Sequence, residues 1–133
     1  MLRIKGKTWI QLQNQIIRQS VIDVVGCGDI HLFESPPRFP RAEVIFMRDC
    51  DKNFVYYWLG KSTFPNVRKI YLDSHPCQYE VAHRFGEKVM LYMRKEYYNH
   101  YYGRWWDKSV PYIRPITGKN LMKALEGHGR KAK

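Results

Sequence analysis

Carboxylates are the scarce side chains of this sequence. Twelve Asp and Glu stand against 23 Lys and Arg in 133 residues, a formal charge of +11 at pH 7. A surplus of that size points towards acidic partners and keeps a small chain soluble. Long apolar runs are also missing: the longest are about five residues, where a membrane-spanning helix needs about twenty. The opening residues carry charge and then alternate, with neither the apolar stretch nor the small-residue cleavage site of a secretory signal. The expectation is no membrane anchor and an intracellular location, cytoplasmic or nuclear. Three cysteines are too few and odd in number for a disulfide framework.

Catalytic motifs are thin as well. Gly26, Cys27 and Gly28 lack the third glycine of a phosphate-cradling loop, and neither a nucleophile elbow nor a paired-histidine metal motif occurs. Cys27, Cys50 and Cys77 with His31 and His75 do not have the ligand spacing of a zinc site. No metal, cofactor or catalytic residue is therefore assigned. Asp49, Asp73 and His75 at strand ends are the weaker enzymatic alternative, because strand-end acids often carry chemistry in α/β folds.

What the chain does have is a hydrophobic share of 44%, enough to bury a core in one domain. It also has an internal repeat. Residues 39–50 align with 64–75 at a shift of 25, and residues 19–27 align with 42–50 at a shift of 23. Gln19, Ile22, Val24 and Cys27 thus fall over Ala42, Ile45, Met47 and Cys50, then over Val67, Ile70, Leu72 and His75. Leu2 and Ile4 could begin one more copy, with Lys7 in the place of the cysteine. Each Ile–Val, Ile–Met or Ile–Leu pair alternates at period two, which puts both on one face of a short strand.

The spacing resembles the leucine-rich repeat, with departures at Gln19, Ala42 and His75. The resemblance covers residues 19–75 and implies a short parallel sheet of strand–helix or strand–loop units. Around residues 64–77 the chain is also loosely similar to uncharacterised proteins of large DNA viruses. The expected architecture is α/β: repeat-like strands and crossovers over residues 1–77, a helical aromatic and basic cap over 78–126, and a flexible basic tail over 127–133.

Between strands, Thr8, Trp9, Leu12, Ile16 and Ile17 suggest a helix over 8–18, and Phe54, Val55, Trp58 and Leu59 another over 52–59. The prolines at 36, 37 and 40 make residues 28–40 a loop. Val81, Phe85, Val89 and Tyr92, after Pro76, predict a long helix over 78–102. A short amphipathic helix is expected over 118–126.

Residues 67–133 hold fourteen bases and six acids against nine and six in residues 1–66, so the halves carry +8 and +3. The basic half contains Tyr97, Tyr98, Tyr101, Tyr102, Trp105 and Trp106, which cannot all face one core on a helix. Three readings fit them: packing, a protein interface, or base stacking on a single-stranded nucleic acid. The expected function is a non-enzymatic binding or scaffold module for a protein partner. Its binding residues would be Phe46, Arg48, Lys69, Tyr71 and Asp73 on an exposed strand face. The alternative is nucleic-acid binding through Lys95, Tyr98, Tyr102, Arg104, Trp105 and Lys108.

Overall fold

The computed structural model describes residues 1–6, 8–28, 37–76, 81, 83–102 and 112–131. Among them, six strands form one sheet: β1 Leu2–Lys5, β2 Val21–Val25, β3 Val44–Arg48, β4 Lys69–Asp73, β5 Met90–Arg94 and β6 Ile113–Ile116. All neighbours pair in parallel and in sequence order. The fold is α/β, a six-stranded parallel sheet with a C-terminal helix. Its register reproduces the repeat: Ile22 pairs with Ile45 and Ile45 with Ile70, while Val24, Met47 and Leu72 form the next column. Leu2 and Ile4 join those columns from β1.

The connections that follow β1 to β4 pack over one face. Trp9, Phe39, Phe54, Trp58, Phe64, Val81 and Phe85 from these segments bury against the Ile and Val columns in one cluster. Trp9 stacks on Phe39 at 5.7 Å and meets Phe54 edge-on at 5.1 Å. Parallel strands must be covered on both sides to satisfy and dehydrate their central residues. Accordingly, the middle three residues of β2, β3 and β4 are all buried.

The helix predicted over 52–59 is α2, Lys52–Trp58, with Asp51 as N-cap accepting from the Asn53 amide at 2.8 Å. The helix predicted over 8–18 shrinks to the single turn α1, Thr8–Gln11. Asn14 at φ 65° ends the turns that follow, and the chain then runs extended.

The predicted helix over 78–102 is largely incorrect. Gly86 at φ 73° breaks it, β5 follows, and only α3, Lys95–Tyr102, is helical towards its end. Val81, Phe85 and Val89 are buried as expected, yet so are Leu91 and Met93. Positions four apart are also multiples of two, so a strand and a helix share much of that pattern. The amphipathic segment after Thr117 is longer than expected: α4 is Gly118–Lys131, so residues 127–131 are helical rather than tail.

Candidate functional site: the strand face beneath the C-terminal helix

The second face of the sheet presents, rung by rung, Arg3, Asp23, Phe46, Tyr71, Tyr92 and Arg114 in one register column. Parallel in-register strands stack like side chains, and the three rings do so. Phe46 lies 4.5 Å from Tyr71 at 6° between planes, and Tyr71 lies 5.0 Å from Tyr92 at 12°. The next column along the strands adds Arg48 and Asp73.

Helix α4 covers this ladder. Leu121 and Leu125 bury on Phe46 and Tyr71, with Ala124, Val21, Val44 and Ile116 around them. His128 meets Phe46 and Tyr71 edge-on at 5.8 and 6.3 Å. Thr117 accepts the Asn120 amide on its hydroxyl at 3.2 Å and starts the helix. At Gly118 a Cβ would come within 2.9 Å of the Arg94 guanidinium, so glycine lets Arg94 lie against the first turn. Gly129 approaches Met1. The helix therefore crosses diagonally, from the C-terminal ends of β5 and β6 to the N-terminal end of β1.

Phe46 and Tyr71 are consequently buried, at 0% and 6% exposure. The expectation that they form an open strand surface is overturned: alternation placed them on the right face, but a helix from the same chain occupies it. Burial and the neighbouring Tyr92 raise the Tyr71 phenol above its ordinary pKa.

Ion pairs close the rest of the face. Asp23 is fully buried and accepts from Arg3 Nε at 2.8 Å, Arg48 Nε at 2.9 Å and Arg48 Nη2 at 2.8 Å. The hydrogen bond to Asp23 holds the Arg48 guanidinium above its ordinary pKa. Arg94 donates to Asp73 at 2.9 Å and pairs with Glu96 at 2.9 Å. Asp23 and Asp73, the sheet carboxylates on this side, are thus neutralised. By contrast, Lys5, Lys69, Arg114, Lys119 and Lys123 have no ion-pair partner among the described residues.

The C-terminal strand ends, where α/β folds commonly place chemistry, carry a ladder of turns. Gly6, Gly26 and Asp49 have φ of 42°, 66° and 52° at successive rungs. Cys27 donates to the Gly6 carbonyl at 3.4 Å and Cys50 to that of Arg48 at 3.4 Å. Ser74 accepts the Cys50 amide at 2.9 Å and donates to the Met47 carbonyl at 3.1 Å. The hydrogen bond with Cys50, together with burial, raises the Cys27 thiol and keeps it protonated. His75 lies beside Tyr97 and His100, with ring centroids 5.6 and 6.4 Å away. Among the described residues, no group of three or more His, Cys, Asp or Glu is arranged to hold a metal.

The sequence-predicted residues divide accordingly. Arg48, Lys69, Tyr71 and Asp73 do share one face with Phe46. Lys95 is exposed at the start of α3, Tyr98 is half-buried against the crossover core, and Tyr102 closes α3. Arg104, Trp105 and Lys108, with His31 and Cys77, lie outside the described residues. Two features escape a reading of the sequence alone: Asp23 as a buried ion-pair centre, although Arg3 stands over it once the repeats are aligned, and Lys123, one helical turn after Lys119.

A family model matches residues 24–106, from within β2 to beyond α3. The chain belongs to that family, a family of unknown function (DUF5845). The DUF5845 match includes Phe46, Arg48, Tyr71, Asp73 and Arg94 and stops short of α4. The chain is similar to "Uncharacterized protein L163" of Acanthamoeba polyphaga mimivirus, 38% identical over 104 residues that cover 77% of this chain and 75% of that protein. It is also similar to "Uncharacterized protein R849" of the same virus, 43% identical over 61 residues, 46% of this chain and 41% of that one. No solved structure matches. The similarity to uncharacterised proteins of large DNA viruses stands on these relatives. The likeness to the leucine-rich repeat is not confirmed by them and rests on strand spacing. No helix among the described residues is long and apolar enough to cross a membrane.

Proposed function

We propose that this chain is a non-enzymatic binding module for a polyanion, with the phosphate backbone of a nucleic acid as its partner. The observation that carries the reading is the set of Lys5, Lys69 and Arg114 on the sheet face that α4 covers, with Lys119 and Lys123 on α4 itself, none paired with a carboxylate among the described residues. Clustered cations of that kind release counterions from a nucleic acid. A protein partner is supported less well, because an interface core wants contiguous apolar surface. The described residues with large exposed apolar side chains are Ile16, Tyr57 and Met122, well separated in sequence. Binding a protein through the Phe46 and Tyr71 ladder would require α4 to leave.

The test is fluorescence anisotropy of a labelled single-stranded oligonucleotide at about 50 and 200 mM salt. Binding should weaken with a log–log salt slope of about −3 to −5, and Lys119→Glu with Lys123→Glu should flatten that slope. No binding at the lower salt, or a double variant that binds as the wild type does, would remove the reading.

A further inference from the structure

A second basic feature lies on the other side of the molecule, at the N-terminal rim of the strands. After Asn14 the chain runs extended past the loop that leads into β3. The Ile17 amide donates to the Arg38 carbonyl at 2.9 Å and the Arg38 amide to the Gln15 carbonyl at 3.0 Å, so Ile16 and Arg38 form an isolated parallel bridge. In extended chain, side chains alternate. Ile17 therefore turns into the core, at 9% exposure, while Ile16 and Arg18 share the opposite side with Arg38. The wall is anchored from behind: Phe39 is fully buried against Trp9 and Phe64, its amide donates to the Thr63 carbonyl, and Asn66 holds the Pro40 carbonyl at 2.7 Å.

The result is an open groove of about 390 Å³ lined by Ile16, Arg18, Arg38, Pro40, Ser62 and Pro65. Among the described residues, no carboxylate lines it. Glu43, on the same rim, pairs with Arg68 at 3.8 Å, and neither Arg18 nor Arg38 has an ion pair among the described residues. Two guanidiniums thus line one cavity with no carboxylate among its described residues, and planar forks suit phosphate oxygens. The remaining wall is apolar, with Ile16 at 48% exposure beside two prolines.

We infer that this groove is a binding site for a phosphate monoester joined to an apolar or planar body, a mononucleotide unit, with Arg18 and Arg38 on the phosphate and Ile16, Pro40 and Pro65 against the base. The site is separate from the α4 surface and does not depend on it.

Calorimetric titration of the full chain with adenosine 5′-monophosphate, inorganic phosphate and adenosine tests the assignment. The monophosphate should bind in the millimolar range or tighter, ahead of both fragments. Arg18→Gln and Arg38→Gln should each weaken it about tenfold, with far-ultraviolet circular dichroism confirming that the variants fold. Absence of monophosphate binding, adenosine binding as tightly as the monophosphate, or an Arg18→Gln/Arg38→Gln protein that binds as before would overturn it. Ile16→Ser should lower monophosphate affinity and leave inorganic phosphate unchanged; equal affinity for the two ligands in the wild type would refute the apolar wall. Oligonucleotide binding without monophosphate binding would sink the groove and leave the α4 surface standing, and the converse result would do the opposite.

Discussion

Replacing Asp23 with asparagine keeps the shape and removes the charge at the centre of the α4-covered face. The carboxylate is fully buried and accepts three charge-assisted bonds between 2.8 and 2.9 Å. Breaking a wholly buried pair costs about 3–5 kcal/mol, chiefly because the remaining ion is left without compensation. Here the partners are not wholly buried. The Arg3 side chain is 43% exposed and rehydrates, so its share falls to the about 0–1 kcal/mol of a surface pair. Arg48 is only 18% exposed and keeps most of the penalty. Asp23→Asn should therefore destabilise by about 2–4 kcal/mol, and Arg3→Gln by less than about 1 kcal/mol. Urea unfolding followed by tryptophan fluorescence measures both, with an unchanged slope if the denatured state is the same. A loss below about 1 kcal/mol for Asp23→Asn, or equal losses for the two variants, would refute the argument that burial of Arg48 sets the cost.

Two further outcomes are expected. Helix α4 contains Gly118, Gly127 and Gly129, each worth about 1 kcal/mol against helicity, so its two buried leucines hold it in place. Leu125→Ala should cost about 2–4 kcal/mol, and hydrogen exchange should show α4 amides opening before those of β3 and β4; simultaneous exchange would contradict this. Burial lowers the pKa of His83, and burial together with Lys52 and His100 lowers that of His75. The unfolded chain then binds protons more readily than the fold, so stability is intact above about pH 6.5 and declines as pH falls through the depressed values. His83→Gln should flatten that decline in thermal melts between about pH 7 and 5.

The strands legible in the sequence are those whose core pairs recur with their turn residues. Ile22, Ile45 and Ile70, with Cys27 and Cys50 after the first two, mark three rungs by recurrence alone, and Leu2 and Ile4 mark a fourth. Strand β5 is hidden because Val81, Phe85 and Val89 satisfy a helical period leading into it, whereas residues 110–115 read as extended chain and β6 lies there as an edge strand, which tolerates Pro115. Alternation assigns Phe46, Tyr71 and Asp23 to one face. It carries no information about what lies above that face, which depends on where a helix some fifty residues downstream of Tyr71 comes to rest. The groove at Arg18 and Arg38 is invisible for a related reason: it needs two segments twenty residues apart to join by backbone bonds that no side-chain pattern announces.

The diagonal path of α4 also sets a scale. Fourteen residues of helix reach about 21 Å, close to the about 24 Å spanned by six strands at their usual spacing. Thr117 pins one end to the last rung and Gly129 meets Met1 at the first, so the helix works as a gauge of rung number. A chain with one more rung would hold its first strand beyond the reach of α4, and a chain with one fewer would leave Gly129 without the Met1 side chain it meets. Repeat proteins usually lengthen freely by adding units; in this one the number of rungs and the length of the closing helix must change together.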